Sequence, residues 1–359
     1  LWTEHRAEEI DTPFVFVKSR TYTGNGKQRV LNMVDFYRNV QKTAVEYAAQ
    51  HGKPDVIYAS SVHPLTLIAG IRLAKRFGVK CVCEVRDLWP ESIVAYSSRF
   101  TKKNPLIRLL YQGEKWIYKK ADAMIFTMEG AYDYILEQGW EKDIPRSKVH
   151  FINNGVDLKQ FDENKEQFRV EDIDLDDPGT FKVVYTGSIR RVNNIGLLLD
   201  AAKVVKDPRI RFLIWGDGDE LEALEQRVRK EQIENVRFKG SVEKKYVPSI
   251  VSRSDLNIVH WEMSVLLRYG ASYNKLFEYL AAGKPVFSTV RAGRSILERY
   301  DCGRETAAFA PEDYAVGIDA MAELSPEELS RMGGNARTAA TDYDLATLTG
   351  KLEEIVEEI

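Results

Sequence analysis

Two hydrophobic periods alternate along most of this chain. From residue 54 onward, short apolar runs bounded by glycine or polar residues predict strands, and stretches with apolar residues three and four apart predict helices. Strands that alternate with helices in this way form parallel sheets with helices on both faces. The pattern therefore predicts an α/β protein.

The first half of the chain contains one such series. Strands are predicted at 55–59, 79–85, 123–127 and 148–152, and helices at 64–77 and 104–120. Asn104 and Pro105 suit the start of a helix as N-cap and first helical residue. The sequence Asn153-Asn154-Gly155 is a turn signal, and residues 162–180 are polar, acidic and poor in apolar periodicity. These features predict a domain boundary after Gly155.

The second half restarts the series. Strands are predicted at 181–186, 210–215, 236–238, 255–259 and 285–289, and helices at 194–206, 220–232, 246–252 and 274–282, with a helical remainder from Pro311. We therefore expect domains at 1–155 and 156–343, and a C-terminal helix over 344–359 that returns to the first domain. Ligands of open parallel sheets bind beyond the carboxyl ends of strands. We expect two Rossmann-like, doubly wound domains that face a cleft.

Composition narrows the class of protein. The 359 residues are 44% hydrophobic and carry a net charge of -3, which fits two soluble domains and gives no reason to expect a nucleic-acid partner. No apolar run approaches the ~20 residues that cross a bilayer. Cys81, Cys83 and Cys302 cannot pair completely, so a reducing cytoplasm is the simplest location. We interpret Cys81 and Cys83 as buried small side chains and assign no metal or other cofactor.

Two loops of the second half suit a nucleotide. Gly187, Ser188 and Arg190 lie where a strand leads into a helix, so that backbone amides and a guanidinium can meet a phosphate. The alternative is a surface turn with solvated arginines. Gly216 and Gly218 occupy the next loop of this kind, where they permit close approach of a ligand or a positive φ.

A third segment, 268–285, is more informative. Its predicted helix begins near Ser272 and Asn274, and the amides at that start suit a diphosphate. Lys275 is unfavourable in a first helical turn unless an anion lies nearby. Glu278 follows about one turn later on the same face. A surface ion pair between Lys275 and Glu278 is the alternative interpretation.

Polar residues also follow three strands of the first half. A lone histidine is usually structural, but polar groups that meet at one sheet edge favour a binding surface. The residues concerned are His63, Arg86, Asp87 and Glu129.

Three motifs together resemble the group 1 glycosyltransferases of glycosyltransferase family 4. They are EVRDLWPES at 84–92, NNGVD at 153–157 and YGASYNKLFEYLAAGKP at 269–285. The likeness is to the bacterial surface-polysaccharide branch, similar to N-acetyl-L-fucosamine transferases. It implies the GT-B fold, retaining transfer from a nucleotide-activated sugar, and no metal requirement. It also leads us to expect that the family's opening strand and Gly-rich loop are missing before Leu1.

The chain departs from this family at residues that contact the donor. Many relatives carry Arg and Lys at the positions of Ser188 and Asn193, and two Glu at the positions of Gly270 and Glu278. Here only the second Glu is present. The cations that could substitute are Arg190, Arg191 and Lys275.

The resemblance and the loops together predict sugar transfer from a UDP-linked donor to a glycan or polyprenyl-linked sugar, in capsule, O-antigen or exopolysaccharide assembly. A UDP-sugar 2-epimerase of the same fold and a non-catalytic nucleotide-sugar-binding subunit are the alternatives. The residues expected to frame sugar and acceptor are His63, Arg86, Asp87 and Glu129. Those expected to bind the donor are Gly187, Ser188, Arg190, Gly216, Gly218, Ser272, Asn274, Lys275 and Glu278.

Peripheral contact with the cytoplasmic membrane face is also expected, because relatives often extend lipid-linked sugars. The helix predicted near 105–120 has leucine and tryptophan at roughly helical spacing. The alternative is an ordinary amphipathic helix that covers the sheet. The basic residues of this region are Arg99, Lys102, Lys103, Arg108, Lys115, Lys119 and Lys120.

Overall fold

The computed structural model describes residues 2–5, 12–24, 26–61, 63–97, 99–262, 264–306 and 309–359. These residues divide into two compact units. Unit 1 comprises Leu1–Ile152 together with Leu352–Ile359, and unit 2 comprises Asn153–Lys351. None of the described helices is long and apolar enough to cross a membrane.

Unit 1 is built on a parallel sheet in the order β3-β4-β5-β6, and a separate antiparallel pair is formed by β1 and β2. The four parallel strands confirm the predicted α/β pattern. The elements are β1 (Trp2–His5), β2 (Phe14–Val17), α1 (Lys27–His51), β3 (Val56–Ser60), α2 (Pro64–Phe77), β4 (Lys80–Val85), α3 (Glu91–Tyr96), α4 (Pro105–Lys120), β5 (Ala123–Phe126), α5 (Ala131–Glu137) and β6 (Val149–Phe151).

Local chemistry explains where α4 begins. Asn104 caps α4 by accepting a hydrogen bond from the Leu106 amide at 2.9 Å, and Pro105 takes the first helical position, where its missing N–H costs nothing.

Cys81 and Cys83 are buried in β4 with their sulfur atoms 3.8 Å apart, and both are free thiols. Among the described residues, no cluster of His, Cys, Asp or Glu could hold a metal ion.

Unit 2 contains a six-stranded parallel sheet in the order β12-β11-β10-β7-β8-β9. The chain enters at the central strand β7 and builds first to one side and then to the other. The elements are α6 (Leu158–Gln167), β7 (Phe181–Thr186), α7 (Ile195–Val204), β8 (Ile210–Trp215), α8 (Leu221–Lys230), β9 (Val236–Gly240), α9 (Val247–Val251), β10 (Leu256–Val259), α10 (Asn274–Ala281), β11 (Val286–Ser288), α11 (Ile296–Tyr300), β12 (Gly303–Glu305), α12 (Pro311–Ala322), α13 (Pro326–Asp342) and α14 (Leu345–Glu358).

The start of unit 2 corrects the sequence analysis. Residues 162–180 were expected to lack periodic structure, but α6 extends to Gln167. Asp157 caps this helix by accepting from the Gln160 amide at 2.8 Å, and Phe161 is its one fully buried residue. A helix with so little buried apolar surface leaves almost no periodic signal in the sequence.

The last turns of α14 belong to unit 1. Ile355 is buried against Val82, Ala123 and Ile125 of that unit's sheet. The first turns of α14 belong to unit 2, where the Leu345 amide donates to the Val156 carbonyl at 3.0 Å. Residues of this helix are thus divided between the two units.

Candidate functional site

The carboxyl ends of β7, β8 and β10 form the candidate site of unit 2. These strands are neighbours, and β7 lies where the strand order reverses, the position at which open parallel sheets bind ligands. The loop after β7 covers residues 187–194 and is called the β7 loop. The loop after β8 covers residues 216–220 and is called the β8 loop.

Backbone contact joins the two loops. The Ile189 amide donates to the Asp217 carbonyl at 2.9 Å. A Cβ on Gly216, whose φ is 153°, would overlap the Gly187 carbonyl oxygen, and a Cβ on Gly218 would overlap that of Ile189. Glycine is therefore required here by loop packing. Contact of Gly216 and Gly218 with a donor stays a prediction.

Lys275 reaches the β7 loop from the first turn of α10. Its Nζ donates to the Tyr185 hydroxyl at 2.8 Å and lies 4.1 Å from the centroid of the Tyr185 ring. A Cβ placed on Gly187 would be 3.0 Å from the same Nζ. Burial lowers the pKa of Lys275 to about 7, against the opposing effect of the Glu278 charge. Lys275 is thus a lysine held beside the glycine of the loop in surroundings that disfavour its charge.

The predicted alternative of a Lys275–Glu278 ion pair is wrong. Glu278 Oε1 instead lies 3.6 Å from Lys244 Nζ, and the Glu278 side chain is 22% exposed. Burial raises its pKa, and the charges of Lys244 and Lys275 act in the opposite direction. Among the residues that the structure describes, no carboxylate lies within 4.0 Å of Lys275 Nζ.

The two positions where many relatives carry Arg and Lys contact each other. Ser188 Oγ donates to Asn193 Oδ1 at 3.0 Å, which closes the β7 loop with a neutral pair. Arg190 is exposed on the same loop. Its proposed contact with a phosphate stays a prediction.

His260 was missed by the sequence analysis. It follows β10 directly and is fully buried, with Nε2 2.8 Å from the Asn194 carbonyl oxygen and Nδ1 2.7 Å from Thr289 Oγ1. Because a carbonyl only accepts, Nε2 carries the hydrogen. Burial lowers the pKa of His260 to about 4, so the ring is neutral and fixes the end of the β7 loop. The sequence feature that could have identified His260 is a polar residue just after an apolar strand. The same feature is the reason that His63 and Glu129 were predicted as site residues.

The start of α10 is tethered to the NNGVD motif. The Asn154 amide donates to Ser272 Oγ at 3.3 Å, and Asn153 Nδ2 donates to the Ala271 carbonyl at 3.3 Å. Asn274 is the first residue of α10 and is exposed. The motif therefore fixes the segment that precedes α10.

In unit 1, the predicted residues lie at the carboxyl edge of the sheet. The loops after β3, β4 and β5 are joined at Arg86, whose amide donates to Ser61 Oγ at 3.0 Å and whose carbonyl accepts from Thr127 Oγ1 at 3.2 Å. The residues at this edge are His63, Arg86, Asp87 and Glu129. Their roles stay predictions.

Two buried titratable side chains, His63 and Glu114, lie close to this edge of the sheet. His63 is buried, its ring stands edge-on to that of Phe36 at 6.0 Å, and burial lowers its pKa. Asp87 and Glu114 line a cavity of about 20 Å³. Glu114 accepts hydrogen bonds from the hydroxyls of Tyr118 and Tyr134, both at 2.7 Å, and burial raises its pKa to about 8. A neutral carboxylic acid therefore lies under the EVRDLWPES loop.

Two family models match the chain, one in each half. A glycosyl transferase 4-like domain matches residues 5–155, and a domain of the glycosyl transferases group 1 matches residues 180–325. The matches cover most of the sequence. The chain belongs to the group 1 glycosyltransferases, as its motifs predicted, and is a glycosyltransferase.

Bacterial relatives agree with this assignment. The probable glycosyltransferase WbjE of Pseudomonas aeruginosa is 23% identical over 299 residues, which cover 82% of this chain and 72% of WbjE. The proposed teichuronic acid biosynthesis glycosyltransferase TuaH of Bacillus subtilis is 27% identical over 228 residues. That match covers 61% of this chain and about half, 52%, of TuaH.

A solved structure shares the fold. Anabaena Alr3699/HepE, crystallised with UDP, superposes with a TM-score of 0.65 at 17% identity, over 92% of this chain and 84% of that protein. The predicted GT-B class is confirmed. That the two domains face a cleft stays a prediction.

The loop packing yields a stability test. Gly216→Ala should lower the free energy of unfolding by more than about 2 kcal/mol, because the new Cβ overlaps the Gly187 carbonyl and the backbone angle is strained for alanine. Gly334→Ala, in open space on an exposed part of α13, is the control and should stabilise by about 0.5–1 kcal/mol. Urea unfolding measures both. Equal midpoints for the two variants would contradict the packing constraint.

Proposed function

We propose that this glycosyltransferase transfers a sugar, with retention of configuration, from a UDP-linked donor to a glycan or polyprenyl-linked acceptor in bacterial surface-polysaccharide assembly. The observation that carries the proposal is the position of Lys275. Its ammonium lies beside Gly187, and no carboxylate pairs with it among the described residues. A diphosphate between the β7 loop and the start of α10 would supply the countercharge.

The relatives support the donor and the pathway class. HepE was crystallised with UDP, and TuaH is named for teichuronic acid biosynthesis, which is assembly of a bacterial polysaccharide. Both facts fit a UDP-sugar donor and a polysaccharide product for this chain.

Each donor residue then has a chemical task. Lys275, Arg190 and the amides near Ser272 and Asn274 hold the diphosphate, with Gly187 and Ser188 providing the loop on which it rests. Glu278 accepts hydrogen bonds from the ribose hydroxyls, which a carboxylate does with both oxygens.

Transfer proceeds on one face of the sugar. The bond between C1 and the diphosphate oxygen breaks as the acceptor oxygen forms its bond to C1 from the same side, and the acceptor's proton passes to the departing phosphate oxygen. Negative charge that builds on the diphosphate is stabilised by the Lys275 ammonium and the backbone amides. The residues proposed to bind the sugar and the acceptor are His63, Arg86, Asp87 and Glu129.

A labelled-donor assay tests this function. UDP-sugars labelled in the sugar are incubated with and without polyprenyl-linked acceptors, and the anomeric configuration of the product is read by NMR. Acceptor-dependent transfer with retention is expected. Epimerised UDP-sugar would indicate the 2-epimerase, binding without turnover would indicate a non-catalytic subunit, and an inverted product would contradict the mechanism.

Removal of the Lys275 charge should separate phosphate binding from nucleoside binding. Lys275→Met is expected to weaken UDP binding about ten- to hundredfold and leave uridine binding nearly unchanged, because hydrogen bonds to charged groups contribute about 1.5–3 kcal/mol. Isothermal titration calorimetry measures both ligands. Lys230→Met, on the last turn of α8, is the control. Equal losses for UDP and uridine would remove Lys275 from the phosphate site.

The same lysine predicts a pH dependence. With a pKa of about 7 in the ligand-free protein, Lys275 loses its proton as the pH rises above 7, and UDP must then restore it. Affinity for UDP should fall by up to about tenfold per pH unit between pH 7.5 and 9, where the terminal phosphate, with a second pKa near 6, is already ionised. Lys275→Arg should flatten this dependence. A slope that is the same in both proteins would contradict it.

The surface proposed to contact the membrane is the exposed face of α4. Ile107, Tyr111 and Ile117 face the core, whereas Leu109 is 66% and Leu106 54% exposed. Trp116, about two turns after Leu109, is 39% exposed. Three of the basic residues are already paired: Lys102 with Glu91, and Lys115 and Lys119 with Asp143. Those outside an ion pair, within the described part of the chain, are Arg99, Lys103, Arg108 and Lys120.

Vesicle binding tests this surface. Co-sedimentation with phosphatidylglycerol vesicles should be strong at low salt and weak at high salt, since each basic residue near an anionic surface contributes ~1 kcal/mol. Leu109→Glu should abolish it, and Val316→Glu, at an equally exposed valine on α12, should not. Pelleting that is insensitive to salt, to lipid charge or to Leu109→Glu would contradict attachment through α4.

A further inference from the structure

Tyr185 connects the lysine of the donor site to the β7 loop. Its ring is fully buried at the end of β7, and its hydroxyl lies 3.0 Å from the Ser188 carbonyl oxygen and 2.8 Å from Lys275 Nζ. A tyrosine hydroxyl has one proton, and a carbonyl can only accept. Tyr185 therefore donates to Ser188, and Lys275 donates to Tyr185, which fixes the direction of both bonds.

The aromatic rings complete the lysine's surroundings. Nζ lies 4.1 Å from the centroid of the Tyr185 ring and 5.9 Å from that of Trp261, distances at which an ammonium is attracted to a ring face. An ammonium has three N–H donors, and among the described residues the Tyr185 hydroxyl is its one hydrogen-bond partner. Two donors remain beside Gly187.

We propose that Tyr185 is a positioning residue for the donor: it holds Lys275 beside Gly187, so that two N–H groups are presented to a diphosphate. The inference rests on the proposed function of this site. Tyr185 lies on β7, whereas Lys275 lies on α10. Because the Tyr185 hydroxyl bonds both the Ser188 carbonyl and Lys275 Nζ, it links the lysine to the β7 loop. Without this bond, the flexible four-carbon side chain of Lys275 would adopt several rotamers. Fixing one of them on UDP binding would cost side-chain entropy and weaken the affinity for UDP.

A double-mutant cycle distinguishes positioning from support of the fold. Tyr185→Phe is combined with Lys275→Met, and UDP and uridine binding are measured by calorimetry for the four proteins. In the Lys275 background, Tyr185→Phe should weaken UDP about five- to twentyfold, less than removal of the charge itself, because the ammonium remains but is no longer held in position. In the Lys275→Met background, it should have no effect on UDP. Uridine should bind alike to all four proteins.

Tyr279→Phe is the matched control. Tyr279 is a buried tyrosine of α10 whose hydroxyl oxygen accepts from the Thr186 amide at the end of β7, at 2.9 Å. It forms no hydrogen bond to Lys275 in the described structure. Its loss should lower the melting temperature and affect UDP equally in both Lys275 backgrounds.

The outcomes separate the hypotheses. If Tyr185→Phe weakens UDP by the same factor with and without Lys275, or weakens uridine as much as UDP, Tyr185 has a structural role and the inference is wrong, while the proposed donor site stands. If the wild-type protein binds no UDP, both the site and the inference are wrong.

Discussion

The backbone contact between the β7 and β8 loops is the constraint on which the proposed donor site depends. With glycine at 216 and 218, the second loop lies directly against the carbonyls of residues 187 and 189. Side chains at these positions would overlap those carbonyls and force the two loops apart. Gly216 and Gly218 were predicted to line a nucleotide pocket. In the structure they allow the two loops to pack against each other, so the β7 loop is held in place before any nucleotide binds.

His260 and Asn193 also hold the β7 loop in place. The neutral imidazole binds the carbonyl of Asn194, a residue with a φ of 47°, and Asn193 accepts from Ser188 across the loop. Because the polar side chains at 188 and 193 are neutral and bind each other, the loop carries no cation where many relatives have two. In the proposed donor site, the buried cation beside Gly187 is Lys275 on α10, and Arg190 is exposed on the loop. Burial disfavours the charge of Lys275, and an anionic ligand would offset this unfavourable burial.

The sequence predicted the strands and helices around this site better than the contacts within it. Strands β7 and β8 and helix α2 have the predicted bounds because their apolar periods are long and end at glycine or polar residues. Helix α6, with one fully buried residue, gave no such period and was missed. The contact between Tyr185 and Lys275 was also missed, because the two residues are 90 positions apart and no spacing rule connects a strand end to a helix start at that distance. The donor role of Glu278 stays a prediction, and its ion-pair partner Lys244 lies on a separate segment that the helical spacing does not reveal.

A crystal structure of the protein with UDP would show directly where the diphosphate binds. We expect a phosphate oxygen within about 3 Å of Lys275 Nζ, which is ordinary for a charge-assisted hydrogen bond. We also expect the Tyr185–Ser188 bond to be retained and the β7 loop to keep its position. A diphosphate held by Arg190 and Arg191 on the exposed side of the loop, with no phosphate oxygen near Lys275, would contradict the proposed donor site.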